Sequence, residues 1–169
     1  GVPTATVVAY GLERSFGRFV RGALVTEEVS HTRDLAKTVR EHPEYLKNKP
    51  WLETVSKQVA DMTRTLHDAG FAHNDLKWRN LLVDEGLSPK VYMIDCPFGN
   101  YWWHIFLQYR IVKDLASLDR EAKNYLSRSQ RLRFYLAYAR IGRLNAGCKR
   151  QIRRIARFYD SQRLRHRFR

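Results

Sequence analysis

The sequence predicts an α+β domain, and three observations carry that reading. Segments rich in Val and Ala, with glycine-bearing turn signals between them, fill the first 25 residues. Apolar residues recur at helical spacing after Trp51 and again over the last third of the chain. Strands come first and helices last, which is the order of an α+β chain rather than an alternating one. With 169 residues, 44% of them hydrophobic, the chain can bury one real core.

Residues 5–10 (ATVVAY) and 19–25 (FVRGALV) read as two antiparallel strands joined through residues 11–17. Ser30 and Asp34 offer caps for a short helix over residues 34–41, and Pro43 lies just past its end. Val55, Val59, Met62 and Leu66 then repeat at helical spacing, which predicts a buried amphipathic helix over residues 51–69 with Gly70 past its end. A loop over residues 71–80 follows. Short strands at 81–83 and 91–94 bracket a turn that holds Gly86 and Pro89. Helices are expected over residues 111–126, 130–143 and 148–159; in the last, Ile152, Ile155, Ala156 and Tyr159 share one face.

The net charge of +14 is unevenly placed. Residues 1–100 hold 13 Lys plus Arg and 13 Asp plus Glu, whereas residues 101–169 hold 18 against 4. A polyanionic partner would therefore be met by the C-terminal half. The longest apolar runs fall short of a membrane span, and no secretory signal pattern opens the chain. Two cysteines, Cys96 and Cys148, are too few for a disulfide framework or a zinc site, which points to a reducing compartment such as the cytosol.

The segment with chemical content is His73-Asn74-Asp75-Leu76-Lys77-Trp78-Arg79-Asn80, between a helix and a short strand; Asp95 ends the next strand. Phosphoryl transfer to a hydroxyl needs few groups. Asp75 can orient the hydroxyl and accept its proton. Asn80 and Asp95 can offer the hard oxygens that magnesium prefers. Lys77, two residues past Asp75, can offset charge on the transferred phosphate.

This segment resembles the protein-kinase catalytic loop, His-x-Asp-Leu-x-x-x-Asn, with Asp95 in the place of the metal-binding Asp that follows it. Within that superfamily the chain most resembles the bacterial lipopolysaccharide core kinases, which phosphorylate heptose or Kdo sugars. The residues that carry the likeness are His73 to Lys77, Ile94-Asp95, Lys113-Asp114-Leu115-Ala116-Ser117-Leu118 and the basic Arg131-Leu132-Arg133-Phe134-Tyr135. The resemblance implies a kinase-like fold with residues 1–29 as partial N-lobe strands and hinge, and 30–169 as the helical C-lobe. It implies ATP and magnesium as cofactors, a sugar hydroxyl of a glycan or glycolipid as acceptor, and adenine bonding by the hinge backbone at Glu27, Glu28 and Val29. Asp114 resembles the buried Asp that braces the catalytic loop.

The chain departs from the kinase pattern at its start. Gly11, Gly17 and Gly22 do not give the Gly-rich loop spacing, and about 25 residues before the hinge leave no room for the ATP-anchoring Lys and its helix Glu. The expectation is a truncated N-lobe. Asn74 precedes Asp75 where regulated kinases carry Arg, and residues 96–112 hold no Ser or Thr to phosphorylate. Both features favour a small or glycan acceptor. Two alternatives stay open: a protein or other small-molecule kinase of the same fold, and a non-catalytic pseudokinase or anionic-surface binding module.

His73 reads as a structural brace rather than a base, and Cys96 as a small buried residue. Trp102, Trp103 and Phe106 read as core first and as a sugar-stacking wall second. The basic C-terminal helices suit a peripheral contact with the inner face of a membrane or an anionic glycolipid. A solvated helix face ranks next. Nucleic acid ranks last: the Arg-rich end from Arg163 to Arg169 permits phosphate contacts, but no base-reading motif accompanies it.

Overall fold

The computed structural model describes residues 1–84, 86 and 88–167. The elements run β1 (Val7–Ser15), β2 (Arg18–Thr26), β3 (Thr32–Asp34), α1 (Leu35–Glu41), α2 (Lys49–Asp68) and β4 (Phe71–Ala72). They continue with β5 (Leu81–Asp84), β6 (Val91–Met93), β7 (Asn100–Tyr101), α3 (His104–Tyr125), α4 (Arg128–Ala139) and α5 (Ala146–Arg167). The mixed architecture agrees with the α+β expectation. The Arg163 to Arg169 end lies outside the residues whose side chains are described.

The first hairpin is longer than expected. Residues 11–15 are strand, not connection, and only Phe16 and Gly17 make the turn. Both have positive φ, 50° and 76°, the turn geometry whose twist matches antiparallel strands. Gly11 lies opposite Ala23 and Leu12 opposite Gly22, so these glycines sit inside the ladder. Every residue of the hairpin is exposed on both faces.

The helical body begins at Asp34, whose carboxylate accepts from the Lys37 amide at 2.8 Å and caps α1; Ser30 takes no part in this cap. α2 starts two residues before Trp51. Asn48 caps it by accepting from the Trp51 amide at 3.2 Å, and Pro50 occupies its first turn. Of the predicted stripe, Val55, Val59 and Met62 are buried with Trp51 and Leu52, and Leu66 is half-buried against the same core. The chain leaves α2 through Gly70, at φ +77°.

α3 begins at His104, seven residues earlier than expected, because its first turns present exposed apolar side chains instead of a buried stripe. α4 is held by a capping box between Ser127 and Gln130. It stops at Ala139, short of the expected 143, where Arg140 turns left-handed at φ +53°. α5 extends beyond 148–159 at both ends. Among the described residues, no helix is long and apolar enough to cross a membrane.

Two hydrophobic clusters form the core. One joins α1, α2, β5 and β6 around Val39, Val55, Leu76 and Leu81. The other joins α3, α4 and α5 around Val112, Leu115, Tyr138 and Ile155. Between them lies a cavity of about 550 Å³ lined by Val59, Leu115, Leu118 and Ile155, with Arg128, Arg131, Lys149 and Arg153 also on its wall.

Candidate active site

Residues 73–80 link β4 to β5, and almost every residue of this loop is tied down. β5 pairs with both β3 and β6, so the C-terminal end of the loop is anchored in the small three-stranded sheet. Asp114, on α3 and fully buried, accepts from the backbone amides of His73 at 2.8 Å and Asn74 at 2.9 Å. These two hydrogen bonds hold the loop where Asn74 is left-handed, at φ +65°, which Asn tolerates better than most residues. The Asn74 side chain donates to the Phe98 carbonyl at 2.7 Å, and Arg110 donates to the Asn74 Oδ1 at 3.4 Å. His73 Nε2 lies 3.3 Å from the Ile94 carbonyl, so the imidazole braces the segment before Asp95. The bracing role expected of His73 and Asp114 is the geometry found.

That frame presents Asp75. Its carboxylate is 19% exposed and lies 2.5 Å from Lys77 Nζ and 3.6 Å from Arg79 Nη2. The Asn80 amide donates to the Asp75 carbonyl at 2.8 Å and reaches its Oδ2 at 3.4 Å. Burial by itself would push the Asp75 carboxyl up. The Lys77 ammonium, the Asn80 amide and Arg79 together outweigh it and hold the carboxyl below its ordinary value of 3.8. Asp75 is therefore a carboxylate at neutral pH, the state a proton acceptor requires. A rate that depends on this carboxylate should persist as pH falls, until the depressed pKa is reached. In Lys77→Met the acid limb of kcat/KM should move to higher pH, because the largest of the three opposing influences is gone. A limb that stays in place would separate Lys77 from the ionisation of Asp75.

Asn80 and Asp95 sit at one end of the β5–β6 pair. The Ile94 amide donates to the Asn80 carbonyl at 3.0 Å, which brings the residue before Asp95 alongside Asn80. Asp95 is exposed and left-handed, at φ +57°. The Asn80 NH₂ group is engaged by Asp75, so the amide oxygen is the atom it can offer a cation. Among the described residues, no cluster of three His, Cys, Asp or Glu could hold a metal. The Asn80 amide oxygen and the Asp95 carboxylate are the hard oxygen donors that magnesium takes, and two of them suit an ion that also takes substrate phosphates and water.

Glu27, Glu28 and Val29 lie between β2 and β3, apart from this cluster in the chain. The Glu27 amide donates to the Thr6 carbonyl at 2.9 Å, and the Thr32 hydroxyl donates to the Val29 carbonyl at 2.6 Å. Cys96 is exposed, not buried as expected. Its Sγ still reaches the His73 carbonyl at 3.8 Å. Trp103 and Phe106 are exposed too, which corrects their reading as core; Trp102 alone of the three is half-buried.

Several residues of the site escaped the sequence reading. Arg79 is a second cation on Asp75. Arg110 stacks over Trp102 at 4.1 Å while it holds Asn74. Behind the loop, the Tyr138 hydroxyl lies 2.8 Å from His67 Nδ1, and His67 Nε2 lies 3.4 Å from Asp114, so α4 is connected to the loop clamp. Burial pushes the Tyr138 hydroxyl well above its ordinary range, so it stays protonated beside His67. The one signal for His67 was a polar residue at the end of the α2 apolar stripe.

The turn between Asp95 and β7 is close-packed at Gly99. A Cβ there would lie 2.5 Å from the Phe71 ring and closer still to Cys96 Sγ. Gly99→Ala should therefore lower stability by about 1–3 kcal/mol, read as a shifted urea midpoint. An unchanged midpoint would mean that the turn adjusts freely.

A loop clamped by the buried Asp114 that presents a carboxylate paired with Lys77 is the arrangement expected of a kinase-like phosphotransferase. The model of the lipopolysaccharide kinase (Kdo/WaaP) family matches residues 1–138. The chain belongs to that family and is a kinase acting on lipopolysaccharide core. In structure it is similar to WaaP in complex with acyl carrier protein. That match has a TM-score of 0.70 and 29% sequence identity, and it covers 94% of this chain and 70% of that one. No curated protein matches the sequence.

Proposed function

We propose that the enzyme moves the γ-phosphoryl group of ATP to a sugar hydroxyl of the lipopolysaccharide core, with magnesium. The carrying observation is the Asp75 carboxylate, ionised and held by Lys77 within hydrogen-bond distance of Asn80. In the proposed step the acceptor hydroxyl gives its proton to Asp75. Its oxygen forms the new bond to phosphorus as the bond to the ADP oxygen breaks. Lys77, released from Asp75 by the incoming phosphate, offsets the charge on the transferring oxygens. Asn80 and Asp95 would hold magnesium, which would supply positive charge to offset that of the transferring phosphate. Residues 1–29 would serve as the N-lobe part and hinge, and 30–169 as the C-lobe. Because the Glu27 amide and the Val29 carbonyl are already bonded, adenine would meet the Glu27 carbonyl and the Val29 amide, with Glu28 between.

Calorimetry of ATP binding with and without magnesium tests this reading. Binding should need magnesium and should weaken at least about tenfold in Asp95→Asn, which removes a charge-bearing ligand. Magnesium-independent binding, or an Asp95→Asn variant that binds as tightly, would overturn the assignment of the metal pair.

We also propose a cytoplasmic enzyme working at the inner face of a membrane, as a lipid-linked acceptor and a basic C-terminal half would suit. An acyl carrier protein is the partner of the similar WaaP structure, and one specific observation favours such a partner here. The cavity between the two core clusters is lined mainly by apolar side chains and carries Arg128, Lys149 and Arg153. An acyl chain would suit the cavity, and an acidic carrier would suit the cations. Native mass spectrometry with the acylated and the unloaded carrier separates the two contributions. Equal binding of both forms would remove the cavity from the account.

A further inference from the structure

Between Asp95 and Asp114 the sequence has no acidic residue. It carries six aromatic side chains, Phe98, Tyr101, Trp102, Trp103, Phe106 and Tyr109, together with Arg110 and Lys113. Large apolar groups of this stretch face solvent: Trp103 is 84% exposed and Ile105 75%, and Phe98, Tyr101 and Phe106 are each more than half exposed. Single exposed apolar residues need no explanation, but a contiguous set marks an interaction surface.

The backbone beneath these side chains is pinned. Phe71 pairs with Tyr101 in the β4–β7 ladder, and their rings meet edge to face at 5.2 Å. The Trp102 amide donates to the Gly70 carbonyl at 2.9 Å, and Arg110 covers the Trp102 ring. On the far side Tyr109 packs on Phe158 of the basic helix α5, with ring centroids 5.6 Å apart. The patch also borders the catalytic loop, because the Asn74 side chain bonds the Phe98 carbonyl and Asn74 directly precedes Asp75.

We propose that residues 98–109 seat the enzyme on an anionic lipid surface. Trp103, Ile105 and Phe106 enter the headgroup region, and Lys113 and the neighbouring α5 cations face lipid phosphates. This inference rests on the reading of a lipid-linked acceptor. Trp and Tyr partition to the membrane–water boundary, and each nearby cation adds attraction to an anionic leaflet. Charge decides against a second copy of the chain as occupant, since each copy carries +14. The seat explains why an apolar surface lies beside Asp75: it brings a headgroup sugar to the carboxylate without lifting the lipid from the bilayer.

The test uses the full chain with vesicles of zwitterionic lipid, with and without about a third anionic lipid. The variant is the triple substitution Trp103→Ser, Ile105→Ser and Phe106→Ser, all at exposed positions. The wild type should float with anionic vesicles and the variant should partition at least about tenfold less. Brominated lipid should quench wild-type tryptophan fluorescence, with the quenched fraction lost in Trp103→Phe. KM for acceptor in vesicles should rise in the triple variant, while kcat/KM for a delipidated, soluble core sugar stays unchanged.

A triple variant that floats like the wild type would overturn the proposal and assign any lipid contact to α5. Loss of activity on the soluble sugar would make the patch a sugar-stacking wall. A concentration-dependent dimer abolished by the same substitutions, in place of lipid binding, would make it a contact between copies. Flotation does not depend on turnover, so an inactive chain that still floats through the patch would fail the catalytic reading and leave this one standing.

Discussion

Asp75→Asn should lower phosphoryl transfer about 10²–10⁴-fold, the usual contribution of a positioned general base. The substitution keeps the shape of the side chain and its contact with Asn80, and removes only the proton acceptor and the charge facing Lys77. Stability should change by less than about 1 kcal/mol, because the ion pair with Lys77 is partly exposed. ATP affinity should stay the same or rise, since Lys77 is no longer held by a carboxylate. Initial rates with saturating acceptor, alongside a thermal melt, separate these effects. A variant that melts early would place the loss in folding. One that keeps full rate would show that another group takes the proton.

Asp114→Ala should produce the largest structural effect. The Asp114 carboxylate accepts two backbone amides, and both would be left buried without a partner. At about 1–3 kcal/mol for each unsatisfied group, the variant should lose on the order of 2–6 kcal/mol. That is a large fraction of the total stability of a domain this size. His67 would also lose its partner, leaving the Tyr138–His67 pair disconnected from the loop. Asp114→Asn keeps one acceptor oxygen and should fold, with a stability between the two. Its rate should fall more than its ATP affinity, because a relaxed Asn74 would misplace Asp75. Urea midpoints for both variants, and kcat against KM for the second, check this. An Asp114→Ala variant as stable as the wild type would mean that the loop is held by the sheet alone.

Much of the site was legible in the sequence because its parts are close in the chain. Asp75, Lys77 and Asn80 fall within six residues and meet on one loop, so spacing alone assembled that part; Asp95 follows one strand later, beside Ile94, whose amide bonds the Asn80 carbonyl. α2 was equally plain, since a buried stripe at helical period leaves a clear pattern. Asp114 was found through resemblance, not spacing: 39 residues separate it from Asp75. The His67–Tyr138 contact spans 71 residues and had no local signature. The first turns of α3 were missed for a different reason. A buried stripe alternates with polar residues, whereas His104 to Tyr109 shows apolar side chains to solvent and so lacks the contrast that periodicity detects. The same feature made Trp103 and Phe106 read as core, when they form the surface beside the active site. The hairpin was judged too short because Gly11 was read as a break, although it pairs inside the ladder.

The most direct test of the central claim is transfer of radiolabelled γ-phosphate from ATP to purified lipopolysaccharide core, by wild type and Asp75→Asn side by side. The account predicts magnesium-dependent labelling of the core sugar by the wild type and a loss of about 10²–10⁴-fold in the variant. Equal labelling by both proteins, or labelling of neither while ATP still binds, would contradict the assignment of Asp75 as the group that takes the acceptor proton.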